Sequence, residues 1–271
     1  MLVSMKDLKD YAIGATDGSI GHVKDFLFDD EAWVIRYFVV ETGTWLSSRQ
    51  VLISPIAIKQ PDWERKLLSA AITREQVRNS PDIDTHKPVS RQHEISYLRY
   101  YGYSDYWDGV GLWGGGMYPY ALMPGSLMPG YVGNGVGGPG FGDVDKAHRR
   151  DERARHRNDD PHLRSCEAVI GYHIHAKDGE IGHVSDLLVD EQTWSIRYLV
   201  VDTSNWWVGH KVLISPEWIE EVRWIDQSVT IDLTRQSVKD APPYTSDEQL
   251  NSEQEINLYR HYDRLGYWSA T

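Results

Sequence analysis

The sequence predicts a protein dominated by β structure: two small β-barrels, each followed by a C-terminal helical appendage, joined by a glycine-rich flexible linker. Three observations carry this. The stretch Asp17 to Pro55 recurs as Asp178 to Pro216, offset by 161 residues without a gap, and 22 of its 39 positions are identical. Each copy breaks into short runs rich in β-branched and aromatic residues between turn residues, the pattern of a small sandwich or barrel. Between the copies, Gly109 to Gly142 holds 13 glycines in 34 residues.

The register of the repeat extends beyond its core. Tyr11 meets Tyr172, Thr73-Arg74 meets Thr234-Arg235, and the tail His93 to Trp107 meets Gln254 to Trp268. A two-copy repeat this long is a duplicated domain, not a solenoid. The expected organisation is a first copy with its helical tail over 1–107, a linker over 108–162, and a second copy with its tail over 163–271.

Within one copy, Tyr11 to Ala15 reads as a strand closed by the turn Asp17-Gly18, since hairpin turns need a residue that tolerates positive φ. Ile20 to Phe28 is a second strand. Gly21, like its counterpart Gly182, falls inside it, where glycine marks a bulge or a close backbone approach. Trp33 to Thr42 is a third strand and Arg49 to Ile53 a fourth, with short strands at Ile56 to Gln60 and Lys66 to Ile72. The third strand is apolar on both faces, with Phe38 and Val40 on one and Ile35, Tyr37 and Val39 on the other; Leu199 and Val201 replace Phe38 and Val40 in the second copy. A strand without a wet face needs a cover outside its own barrel. The candidates are the copy's helical tail and the sister barrel, which would make the chain a pseudo-symmetric pair.

Thr73-x-x-Gln76 predicts a capping box opening a short helix. A longer helix is expected from Arg91 to Tyr101, with Ile95, Leu98 and Tyr101 as its packing stripe, matched by Ile256, Tyr259 and Tyr262. The glycine-rich segment carries Trp113, Tyr118, Tyr120, Tyr131 and Phe141 but buries too little to order itself. Residues 143–162 hold six acidic and six basic side chains and read as a solvated spacer. Glycine strings here lack the strand-to-helix context of a nucleotide site.

Composition narrows function. The chain has 271 residues, 41% hydrophobic, with a mean hydropathy of −0.50 and a net charge of −12. An acidic balance argues against nucleic acid, whose binders carry a basic footprint, and against anionic lipid. No apolar run reaches 18 residues, and the start lacks a secretory pattern. Cys166 stands alone, so no internal disulfide is possible, which fits a reducing cytoplasm with a spectator thiol.

Candidate chemistry is sparse. His22 and Asp25 recur as His183 and Asp186, but three positions apart on a strand they face opposite ways, a poor acid–base pair. His173-x-His175 has same-face spacing that suits a metal, yet no third ligand is evident. No catalytic residue, cofactor site or metal site is therefore expected. The loop after the third strand holds Trp45, and its counterpart holds Trp206 and Trp207. Bulky apolar groups in a loop either plug the barrel end or bind a partner, for which tryptophan is favoured.

The doubled run "DGxIGHVxDxLxDxxxWxIRYxVVxT…VLISP" resembles the PRC-barrel family, over about residues 5–80 and 166–240. That family is named after the cytoplasmic domain of the photosynthetic reaction-centre H subunit and also occurs at the C-terminus of a bacterial ribosome maturation factor. The tails ending in Tyr106-Trp107 and Tyr267-Trp268 look like those of stand-alone bacterial proteins with twin PRC-type barrels. The resemblance implies an all-β barrel that serves as an interaction and assembly module, not a catalyst. The H subunit's membrane helix and the ribosome factor's N-terminal domain have no counterpart here. The expectation is a non-enzymatic cytoplasmic scaffold that binds another protein, with Trp45, Trp206, Trp207, Phe38, Val40, Leu199 and Val201 as partner-binding candidates. The alternatives are an accessory of a membrane-bound electron-transfer complex, reached through a protein receptor, and an RNA or ribosome-assembly adaptor.

Overall fold

The computed structural model describes residues 1–59, 61–81, 89–107, 109, 111–124, 162–204, 210–245 and 250–270. The first copy runs β1 (Leu2–Ser4), α1 (Met5–Leu8), β2 (Ala12–Ala15), β3 (Gly18–Asp29), β4 (Val34–Thr42), β5 (Gln50–Ile53), β6 (Leu67–Ser69), α2 (Arg74–Arg78) and α3 (Arg91–Tyr101). The second repeats this as β7 (Leu163–Ser165), α4 (Cys166–Val169), β8 (His173–Ala176), β9 (Gly179–Asp190), β10 (Ile196–Asp202) and β11 (Lys211–Ile214), then β12 (Ile219–Arg223), β13 (Ser228–Ile231), α5 (Arg235–Lys239) and α6 (Ser252–His261).

Each copy builds one sheet, ordered β5-β4-β3-β2-β6 in the first and β11-β10-β9-β8-β13-β12 in the second. Pairing is antiparallel except for β2 with β6 and β8 with β13. The short first strand of each copy joins the other copy's sheet. Leu2 lies opposite Asp190 and Ser4 opposite Leu188, while Leu163 lies opposite Asp29 and Ser165 opposite Leu27.

Strand β4 is buried along nearly its whole length. Its two covers come from different places. The Tyr37 ring meets Tyr97 of α3 edge-on at 5.1 Å, and the Phe38 ring meets Trp194 of the second copy at 4.8 Å. Such contacts use the quadrupoles of the rings in addition to the area they bury.

Four sequence expectations change. Trp33 does not begin the third strand: it and Trp194 have φ of 53° and 58°, left-handed conformations that are costly for bulky residues. Of the expected strand Ile56 to Gln60, Gln60 lies outside the described residues and the rest is no strand; Pro55–Ala57 forms a 3₁₀ turn, and Ile58 makes a single bridge to Ala70. Pro61 explains this, because it has no N–H for a ladder, whereas the second copy has Val222 there and forms β12. The helical stripe holds at Leu98 and Tyr101 and at Tyr259 and Tyr262, all buried, but fails at its first position: Ile95 and Ile256 are exposed, and α3 buries Glu94 and Tyr97 as well. Finally, residues 111–124 at the start of the glycine-rich segment pack into the fold, with Trp113 completely buried and Leu122 nearly so. Residues 125–161 lie outside the described residues.

The capping box forms as read: the Thr73 hydroxyl accepts from the Gln76 amide, and the Gln76 side chain accepts from the Thr73 amide. Gly21 and Gly182 are also places of close approach. A Cβ on either would sit 2.0 Å from a backbone oxygen, of Glu41 or of Asp202. Gly21→Ala is expected to cost about 1–3 kcal/mol by overpacking, read by urea denaturation. Gly43→Ala, where the nearest atom is a Trp45 carbon at 3.9 Å, should be near neutral; equal effects at both positions would contradict this.

Candidate interaction surfaces

Two arrangements stand out: the seam between the copies and an aromatic pocket around Arg36. The seam is built from matched pairs. The Ser165 hydroxyl donates to Asp25 at 2.5 Å and the Glu167 amide donates to the same carboxylate at 3.0 Å. In the mirror position, Ser4 donates to Asp186 at 2.5 Å and the Lys6 amide at 3.3 Å. Each aspartate thus meets the first turn of a short helix belonging to the other copy. A register shift between Val23 and Asp25 marks a bulge at this point.

The left-handed tryptophans serve the same seam. The turn before each is held by an aspartate: Asp29 accepts from the Glu31 and Ala32 amides, Asp190 from those of Gln192 and Thr193. Each tryptophan then offers its carbonyl across the seam. Ile196 donates to Trp33 at 2.7 Å and Ile35 to Trp194 at 2.8 Å. The backbone strain is offset where the copies meet.

The pocket around Arg36 belongs to the first copy. The Arg36 guanidinium donates to the Leu112 carbonyl at 2.7 Å and to Asp29 at 3.3 Å, and lies 3.9 Å from the centroid of the Tyr106 ring. Trp113 closes the pocket, and its indole donates to the Thr193 carbonyl of the second copy at 2.7 Å. Below it Glu94, fully buried, accepts from the hydroxyls of Tyr37 and Tyr106 and faces Arg91 and His162 at 3.2 and 2.6 Å. Burial and the Glu94 charge push both tyrosine pKa values well up, so the hydroxyls keep the protons they donate. In the second copy Glu255 accepts from Tyr198 and Tyr267 in the same way.

The sequence-predicted residues are distributed as follows. Phe38, Val40, Leu199 and Val201 are fully buried inside the chain. Trp45 is half-buried; its indole donates to the Ile20 carbonyl at 2.7 Å, and Arg74 lies 4.3 Å from its ring centroid. Trp206 and Trp207 lie outside the described residues. His22 is exposed, and Asp25 is engaged by the seam. His173 contacts Glu180 at 2.8 Å on an exposed face. Among the described residues no group of three or more His, Cys, Asp or Glu side chains is placed to hold a metal. Cys166 is buried, and burial, with Asp25 and Asp186 nearby, raises its thiol pKa. Trp113 was missed as a site residue, because the glycines around it mask its burial.

Two sheet-forming tandem domains that exchange their short first strands define a duplicated β-rich architecture. The family model of the PRC-barrel domain matches residues 3–64 and 167–237. The chain carries two PRC-barrel domains and belongs, over those residues, to that family. PRC-barrel domains often serve as protein-interaction modules. An uncharacterized protein of Deinococcus radiodurans is 35% identical over 86 residues, 31% of this chain, and the match spans 30% of that relative's length.

Trp113→Ala should destabilise the chain by about 3–5 kcal/mol, the usual range for truncating a buried aromatic; a change under about 1 kcal/mol in urea melts would show that the residue is not part of the folded unit. A second expectation concerns pH. Burial raises the pKa of Asp25 and of Asp186, with the serine and backbone donors opposing it. A carboxyl raised on folding holds its proton more tightly when folded. Its contribution is therefore greatest below the unfolded value of about 3.9 and is lost as pH rises through the folded pKa. The stability of the native chain relative to Asp25→Asn/Asp186→Asn should fall as pH rises from about 4 toward 7; a flat or rising difference would contradict the assignment.

Proposed function

We propose that this chain is a non-enzymatic assembly scaffold whose two PRC-barrel domains act as one pseudo-symmetric unit and bind another protein. The observation that carries this reading is the reciprocal seam. It spends the matched polar groups of both copies on each other and leaves loops and a cleft between the copies as the surfaces open to a partner. In this reading Phe38 serves the pairing through Trp194 and is supported by the core residues Val40, Leu199 and Val201. Trp45, with Trp206 and Trp207 in the matching loop, offers contact surface. The family's common use as an interaction module supports the same conclusion.

No described helix is long and apolar enough to cross a membrane. We place the scaffold in the cytoplasm, reaching any membrane through a protein receptor and working without cofactor or nucleic acid. The test is affinity capture of the tagged full chain from native lysate, with and without RNase, read by mass spectrometry. A stoichiometric protein partner that survives RNase is expected. Recovery of the chain alone would overturn the scaffold reading, and ribosomal components lost on RNase treatment would replace it with the RNA-linked one.

A further inference from the structure

The copies differ at one equivalent place. In the first, the chain itself covers Arg36: Leu112 supplies the carbonyl, Trp113 supplies the indole that reaches Thr193, and Arg36 is left 3% exposed. A shift of 161 positions carries Arg36 to Arg197, Tyr106 to Tyr267 and Thr193 to Ala32. Arg197 lies 4.1 Å from the Tyr267 ring centroid, reproducing the stack of Arg36 on Tyr106. The remaining half of the arrangement is not reproduced. The Nε of both arginines is buried without a partner, but among the described residues no group accepts from the Arg197 guanidinium as Leu112 and Asp29 do from Arg36, and no donor reaches the Ala32 carbonyl.

An open cleft of about 510 Å³ lies there between the copies, with Ala32, Trp33, Arg197 and Tyr267 in its lining. That volume is in the range of sites that hold a compact ligand or a short peptide turn. Its rim is acidic. Asp30, Glu31, Glu217, Glu220 and Glu221 line it, with Arg197 the lining cation; Asp30 already pairs with Arg164 at 2.7 Å and Glu221 with Arg223 at 3.0 Å, so Glu217 and Glu220 are the acids offered to a partner. The first copy shows which groups complete such a site: a main-chain carbonyl for the guanidinium, and an indole N–H for the carbonyl across the seam. Its filler is the turn Gly111–Gly116, closed by bridges of Gly111 with Gly114 and Trp113 with Gly116. Glycine is required in that turn, since a Cβ on Gly111 would lie 2.3 Å from the Gly116 oxygen.

We propose that the Arg197 cleft docks a tryptophan-bearing, glycine-rich turn of a partner protein, flanked by basic residues. The partner's carbonyl takes Arg197, its indole donates to Ala32, and its lysines or arginines meet the acidic rim. This inference rests on the scaffold reading and names the surface and the partner's chemistry. Binding is salt-sensitive because the rim contacts are exposed.

The test uses the full chain and three labelled decapeptides: KKGLWGGGKK, the same peptide with its tryptophan changed to alanine, and EEGLWGGGEE. Fluorescence polarisation should show saturable binding of the first, at least ten-fold weaker binding of the other two, and at least ten-fold weaker binding of the first to Arg197→Gln. The peptide comparison needs no altered protein, so it holds even if Arg197→Gln is unstable. Equal binding of the three peptides, no saturable binding, or a folded Arg197→Gln that binds like the native chain would overturn the proposal. A concentration-dependent dimer that KKGLWGGGKK disperses would assign the cleft to a second copy of this chain and overturn it too. A lysate partner retained equally by Arg197→Gln would sink the cleft and leave the scaffold reading standing. Peptide binding at Arg197 with no lysate partner would sink the scaffold reading and leave the cleft's specificity.

Discussion

Strands β4 and β10 are apolar on both faces, and much of the rest of the molecule follows from that constraint. One sheet has one inner face, so a strand with two dry faces needs a second cover. In the first copy the tail helix covers the Tyr37 side and the second copy covers the Phe38 side. Bringing the copies that close places two sheet edges together, and edges carry unpaired N–H and C=O groups that must be satisfied. The exchanged strands satisfy them on β3 and β9. The aspartate-to-serine pairs and the left-handed tryptophans sit where those exchanged strands enter and where the β3–β4 and β9–β10 turns meet, so they are parts of one solution.

Much of this was legible in the sequence, for identifiable reasons. The repeat, the β3 glycines and the capping box are local signals, each tied to a geometry that few residues permit. The exchanged strands were not legible, because three residues such as Leu2–Ser4 are too few to show a period, and their partner lies more than 180 positions away. The helical stripe departs from expectation only at Ile95 and Ile256, because Glu94 reads as a solvent residue until Tyr37 and Tyr106 are seen donating to it. Trp113 was hidden by its glycines: local composition argued for disorder, and contacts to Arg36 and Thr193 overrode it. Of the partner-binding candidates, the aliphatic and Phe38 positions proved to be interior. The cleft beside Arg197 is invisible in sequence because it is formed by residues from both copies.

The same duplication that makes the seam symmetric makes the pockets comparable. Arg36 and Arg197 hold the same position in the repeat, and both have an aromatic platform. What separates them, among the described residues, is the segment after the first tail, whose Leu112 carbonyl binds Arg36 and whose Trp113 indole closes that side. A duplicated domain can in this way devote one copy of a surface to internal closure and keep the other open, without a change in either sheet.

The exchanged strands also set an order of events during synthesis. Residues 2–4 are made well before residues 188–190, the strand they pair with. The first sheet likewise receives Leu163–Ser165 only after its own strands have been made. Neither copy can complete its edge until both exist, so residues 2–4 wait unpaired until the second copy has been made. Closing loops of that length adds an entropy cost to the final docking step. During that interval the half-made protein presents the kind of open edge that chaperones recognise and that mispairs with neighbouring chains.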